Sequence, residues 1–196
     1  MTSAPAVRSS DRILLSALDL FSSKGYDAVS VREICEAAGI TKPTLYHFYG
    51  SKEGVFRALL DGALEDFHRA VVEPLAGAPS ATDGLRRMAR GYFATAVARR
   101  DLMRFCLRLV HNPPDTAPAT DFPRFYRDIV ACVAEAVEKG VRNGEFGPGD
   151  TAVRMLVLMG ALGEAFCGYL LVGEPLLTPA LADSVVETIL GGWGAP

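Results

Sequence analysis

The side chains of this 196-residue chain best suited to chemistry stand close together: Lys42, Pro43, Thr44, Tyr46 and His47, with Lys52 shortly after. They supply hydrogen-bond donors, a hydroxyl and cations, but no nucleophile beside a base. That mixture suits the reading of a nucleic-acid surface. Lysine donates to guanine O6 and N7, threonine bonds several bases, and a compact ring such as Pro43 can rest on a thymine methyl. Ser30, Arg32 and Thr41 lie just upstream and add donors for a base or a phosphate. Elsewhere the titratable groups are scattered. His68 and His111 are isolated, and no Ser/His/Asp order, carboxylate pair or phosphate-cradling glycine loop accompanies them. Gly144-x-x-Gly147-x-Gly149 falls between two helical stretches and reads as a helix breaker, not a nucleotide loop. Cys35, Cys106, Cys132 and Cys167 have neither CxxC spacing nor histidine partners for zinc. They read as small buried hydrophobes in a reducing cytosol. A cytoplasmic non-enzyme with no cofactor and no metal is expected.

The candidate residues need rigid elements to aim them. Ile13, Leu14, Ala17, Leu18 and Phe21 recur with the 3.6-residue period of one helix face. Ser10 or Asp11 can cap that helix, and Gly25 can end it. Ser30-x-x-Glu33 is a capping box that starts a second helix, with Val31, Ile34, Cys35 and Ala38 on its apolar face. Gly39 suits a turn needing positive φ. Thr41 can cap a third helix, with Pro43 in its first turn, where no backbone donor is required. Leu45 and Phe48 are expected to point inward, leaving Lys42, Thr44, Tyr46 and His47 exposed. Ser51 caps a fourth helix.

In this order the motifs resemble a known family. Ala17-Leu18-x-Leu20-Phe21, Gly25-Tyr26, Val31-x-x-Ile34, Ala37-Ala38-Gly39-Ile40, Thr44-Leu45-Tyr46-His47-Phe48 and Ser51-Lys52-Glu53 together resemble the DNA-binding domain of TetR-family bacterial transcriptional regulators, from Ile13 to about Leu60. The resemblance implies that Tyr46 and Lys52 touch phosphates. It also implies dimerisation through the last two long helices, and an effector cavity among the helices of the body. The sequence departs from the pattern at Tyr49-Gly50; there Phe48 is expected to supply the aromatic plug and only the loop to differ.

The formal charge of −3 is unevenly spread: residues 1–57 carry seven Lys or Arg against six Asp or Glu, a balance of +1, and the rest carries −4. Such a head relies on a few placed cations, backbone donors and helix N-termini to meet phosphates. Residues 1–9 lack an apolar core or cleavage signature and read as a flexible arm. Met155 to Gly173 is apolar except for Glu164. A carboxylate at mid-span is costly in lipid, so a helix buried on most sides in a soluble assembly is expected, with no membrane partner.

The fold expected is all-α with about nine helices: residues 10–57 a helix-turn-helix domain, residues 58–196 a helical effector-binding and dimerisation domain. Beyond a fourth helix to about Val72, residues 73–82 read as a loop. Helices follow at about 83–100, from 101 under an Asp101 cap, at 122–143, from Asp150 to the Glu174-Pro175 break, and at 179–190. A loop at 112–121, rich in proline, reads as a mobile connection. The body concentrates Phe and Met. Met88, Tyr92, Phe93, Met103, Cys106, Phe122, Phe125, Tyr126, Met159, Glu164 and Phe166 are the expected pocket for a small hydrophobic effector. Glu164 is its suggestive polar member, a carboxylate in need of a partner. Gly160, Gly168, Leu181, Val185 and Ile189 are the expected dimer contacts. The reading is a homodimeric repressor on a palindromic operator, released by its effector. Its alternatives are a regulator of the same fold without a ligand, and a helical ligand-binding protein that has lost DNA binding.

Overall fold

A computed structural model describes residues 8–111, 118 and 121–194. Residues 1–7, in the expected arm, and most of the proline-rich loop at 112–121 lie outside the described residues. Among the described residues there are ten helices and no strand: α1 (Ser9–Lys24), α2 (Val31–Ala38), α3 (Lys42–Tyr49), α4 (Lys52–Val71), α5 (Glu73–Ala76), α6 (Ala81–Ala98), α7 (Arg100–His111), α8 (Phe122–Arg142), α9 (Thr151–Val172) and α10 (Pro179–Gly191). The chain is all-α, and the additional helix is the single turn α5, within the stretch read as loop. Two compact units divide it, one within Met1–Ala63 and Phe105–Thr120, the other within Leu64–Arg104 and Asp121–Pro196.

In the first unit, α1 buries Ile13, Ala17, Leu18 and Phe21 on one face, as the periodicity requires. It starts at Ser9 with Arg8 as N-cap and no side-chain cap. Ser10 and Asp11 therefore lie inside the first turn, where the Ser10 hydroxyl donates to Asp11 instead. Gly25 ends the helix with φ +83° and donates its N–H to the Phe21 carbonyl. The α2 capping box is complete: Glu33 N–H donates to Ser30 Oγ, and Ser30 N–H donates to the Glu33 carboxylate. Gly39 takes the left-handed conformation, φ +63° and ψ +43°, which costs a β-carbon-bearing residue energy. Beneath α2 and α3, the rings of Phe21, Tyr26 and Phe56 meet at centroid distances of 4.8–5.7 Å. Phe105 of α7 joins them, 5.9 Å from Phe56. Aromatic contact thus places a residue distant in sequence in the core of the helix-turn-helix unit.

In the second unit, α6, α8, α9 and α10 enclose Leu85, Met88, Phe93, Val133, Val137 and Leu158, all nearly inaccessible. Ser80 caps α6, and the Glu145 carboxylate accepts from the N–H groups of Ala81 and Thr82 at 2.9 and 3.0 Å. Three donors at the start of α6 thereby find partners. Arg99 alone separates α6 from α7, so Asp101 sits inside the first turn of α7 rather than capping it. Two ion pairs join α10 to α6: Arg90 forks onto Asp183 with both bonds at 2.6 Å, and Arg86 meets Glu187 at 3.2 Å. Asp150 caps α9 by accepting from Ala152 and Val153. Arg154, in the first turn, is buried over the Trp193 ring and donates to the Trp193 and Pro148 carbonyls.

By length and composition α9 could cross a membrane, yet only 33% of its apolar window is buried within the chain. The remainder of that window faces outward in the single chain. Leu158, Leu162 and Phe166 face the core, whereas Val153, Leu156 and Val157 are about half exposed or more.

Candidate nucleic-acid interface

The third helix is short, and each end is specified locally. Thr41 Oγ1 accepts from the Thr44 N–H at 3.4 Å and lies 2.9 Å from the Thr44 hydroxyl. Gly50 closes the other end with φ +71°. One residue of α3, Leu45, is fully buried. Lys42, Pro43, Tyr46 and His47 are exposed as expected, and Thr44 is half-buried.

The aromatic plug is not Phe48. Its ring is 46% exposed, and Tyr49 is the half-buried aromatic. Residues 48 and 49 flank the Leu45 face on opposite sides, about 60° and 40° away, and it is the Tyr49 side that turns toward α1. Tyr49 adds a hydrogen bond that phenylalanine cannot make, its hydroxyl donating to the Ser10 carbonyl at 3.1 Å. Burial raises the Tyr49 hydroxyl above its ordinary pKa, with Asp11 adding to the effect, so it remains a donor. Tyr46, His47 and Phe48 then form consecutive exposed rings, with the His47 and Phe48 centroids 5.4 Å apart.

The cations of the head are largely occupied. Lys24 meets Glu33 at 2.7 Å, Arg32 meets Glu36 at 2.8 Å, and Arg57 meets Glu53 at 2.8 Å. Lys52 is part-buried. It donates to the Tyr26 carbonyl at 3.0 Å and sits 4.2 Å from the centre of the Tyr26 ring. This side chain, expected on a phosphate, fastens the start of α4 to the turn after α1. The Lys24 bond and the two Ser30 bonds pull the Glu33 carboxyl down to about 2. Ser30, offered by the sequence as cap or phosphate donor, is committed to the cap.

Lys42 and Arg12 are without a carboxylate partner among the described ion pairs. Arg12 is exposed on α1, and a β-carbon on Gly39 would lie 3.9 Å from its Nη1. Nothing in the sequence spacing places an α1 residue beside the α2–α3 turn.

The residues expected to form an effector pocket do not come together as one set. Met88, Phe93 and Met103 are buried core, Phe122, Phe125 and Met159 half-buried, and Tyr126 is 61% exposed. Cys106 belongs to the first unit, where burial pushes its thiol up to about 12. Glu164 is exposed rather than buried, so it needs no partner within the chain. What does assemble is an aromatic cluster. Tyr92 lies 4.7 Å from Phe166 and 5.2 Å from Phe67, which is 5.6 Å from Phe125. Phe67, on α4, was missed because it precedes the Phe- and Met-rich stretch. Burial, then Cys167 and Tyr126, push the Tyr92 hydroxyl above its usual range, which keeps it a neutral donor. A separate cleft of about 290 Å³ lies among Val72, Leu75, Gly84, Cys132 and Lys139, away from that cluster.

The expected dimer contacts also separate. Around Gly160 there is open space, whereas a β-carbon on Gly168 would press on the Glu174 carbonyl at 2.6 Å. Gly168 therefore serves the chain's own packing. Leu181, Val185 and Ile189 are half-buried, beside the fully buried Ala182 and Val186.

Residues 13–59 match the family model described as bacterial regulatory proteins, tetR family. The HTH-type transcriptional repressor ComR of Escherichia coli (strain K12) is 43% identical over 63 residues, 32% of this chain and 30% of ComR. The match therefore spans under a third of that relative's length. Likeness of fold extends further. The TetR family transcriptional regulator PfmR from Thermus thermophilus aligns over 97% of both chains with a TM-score of 0.73 at 23% identity. AibR, solved in complex with isovaleryl coenzyme A and operator DNA, aligns over 93% of this chain and 98% of its own with a TM-score of 0.68 at 20% identity. The capped N-terminal helices, residues 13–59, are thus the part of this chain that matches the tetR family of bacterial regulatory proteins.

Proposed function

We propose that this chain is a homodimeric transcriptional regulator that grips operator DNA with α3 of each subunit and acts as a repressor released by a small hydrophobic molecule. One observation carries the DNA reading. A short helix, capped at both ends and anchored by Leu45 and Tyr49, exposes Lys42, Pro43, Tyr46, His47 and Phe48 together. Lys42 and Thr44 are the base-edge donors. Tyr46 and Arg12 meet phosphates, and Lys52 positions α4 while offering its remaining donors.

The outer face of α9 supports the dimer. Val153, Leu156, Val157 and Gly160 follow helical spacing and face solvent in the single chain. Burying them against a second copy removes an apolar stripe from water. In a helix-turn-helix dimer the two reading helices stand roughly 34 Å apart, one turn of DNA.

Repressors among the relatives, and AibR solved with isovaleryl coenzyme A and operator DNA, support effector control. A molecule that favours a different spacing of the reading helices lowers DNA affinity by its differential affinity for that state. The Phe67, Tyr92, Phe125 and Phe166 cluster is the site in the second unit best suited to an apolar ligand with one polar group. Ring-on-ring contact within it favours a second reading, a regulator with no small ligand.

Selection from random duplexes with the full chain tests the reading. An enriched palindrome is expected, and its absence removes the assignment. Thermal shift against lipophilic compounds separates the two control modes. A ligand at 100 times its dissociation constant raises stability by about 2.7 kcal/mol and should release the DNA. If no compound does either, the ligand-free form stands.

A further inference from the structure

We infer that Phe48 is a specificity-determining residue that reads thymine through its C5 methyl group. The inference rests on the proposed DNA reading and names the bases that reading favours. Three observations lead to it. First, α3 has the sequence Lys-Pro-Thr-Leu-Tyr-His-Phe-Tyr. It contains no Arg, Asn or Gln to fork onto guanine or adenine, nor an Asp or Glu to accept from cytosine, and Lys42 is its one donor to guanine. Second, Arg32 on α2 is paired with Glu36 at 2.8 Å. Third, Phe48 is released from the core because Tyr49 fills that place and is fixed there by Ser10. A phenyl ring 46% exposed on the DNA-facing helix is left without an apolar partner on its outer side.

The major groove offers one apolar group to such a ring, the methyl of thymine. Pro43 and the Thr44 methyl lie toward the other end of the same helix and add to an apolar reading surface. Only Lys42, Thr44, His47 and the Tyr46 hydroxyl remain to make polar base contacts. An operator chosen by this helix therefore carries thymine under Phe48 in each half-site. Water displaced from ring and methyl drives the preference, which is accordingly insensitive to salt, unlike phosphate contact.

Uracil differs from thymine in DNA by that methyl alone. The probe is the duplex the wild-type protein selects from a random library, remade with single thymine-to-uracil replacements. Replacing the critical thymine in one half-site should weaken wild-type binding about fourfold, from the burial of one methyl, equally at low and moderate salt. Phe48→Ala should bind thymine and uracil duplexes alike, and Phe48→Leu should keep part of the difference. Circular dichroism checks that both variants are folded. The inference is overturned if no uracil replacement weakens wild-type binding, or if Phe48→Ala loses as much as wild type at every position. In either case DNA binding itself survives. Should wild type select no duplex at all, both this inference and the reading beneath it fall.

Discussion

Helices α3 and α9 both hold apolar side chains out in solvent, and they differ in what surrounds those side chains. On α3, Tyr46 and Phe48 are interleaved with Lys42, Thr44 and His47, and the helix is braced by the Thr41 cap and the Tyr49–Ser10 bond. On α9, Val153, Leu156 and Val157 form an aliphatic stripe beside the bare Gly160, with Glu164 one turn beyond. A surface of rings mixed with donors complements a partner that is itself polar and patterned. An aliphatic stripe with room at a glycine complements another aliphatic surface. Exposed hydrophobicity alone therefore does not identify a partner; the polar groups interleaved with it do.

The largest effect should come from charging the aliphatic stripe. Leu156→Glu, at a position 74% exposed, should leave the chain folded and weaken the proposed dimer by about a hundredfold or more, since a carboxylate is stranded on each side. Light scattering at micromolar concentration reads the result, and an undiminished dimer would remove α9 from the interface. Next is Gly160→Leu. No atom lies within 4 Å of the added β-carbon, so the fold should tolerate it, while overpacking between copies should cost about tenfold in dimer affinity. A drop in monomer stability instead would show the space to be used within the chain.

A smaller effect sharpens the α3 side. Glu36→Gln should free Arg32 from its pair, raising affinity for all DNA sequences alike and steepening the salt dependence by about one unit per subunit. An unchanged slope would mean that Arg32 does not reach the phosphates. The smallest effect is on pH. Glu33, drawn down to about 2 by Lys24 and Ser30, has a folded pKa below its ordinary value. Its contribution is present above about pH 4.5 and is lost as pH falls toward 2. Amide exchange in α2 should speed up across that window, and Glu33→Gln should abolish the dependence. No comparable acid response is expected along the outer stripe of α9, whose members do not titrate.

What was legible in the residues was local. Ser30 with Glu33, Gly39, Thr41 and Asp150 all act as the sequence predicts, because a cap or a left-handed turn is decided within three or four residues of chain. Helical periodicity likewise identified the buried face of α1. At Ser10, Asp11 and Asp101 the helix start shifted by a residue or two and the expected cap was not used.

The sequence alone thus determined the helices other than α5, their order and the family that residues 13–59 match. Only the tertiary structure decided which of two adjacent aromatics fills the head, since one position along α3 turns a side chain through about 100°. It also decided that Phe105 completes that core and that Lys52 is engaged within the chain. These outcomes depend on contacts between residues far apart in the chain, and such contacts leave no trace in the spacing of neighbours.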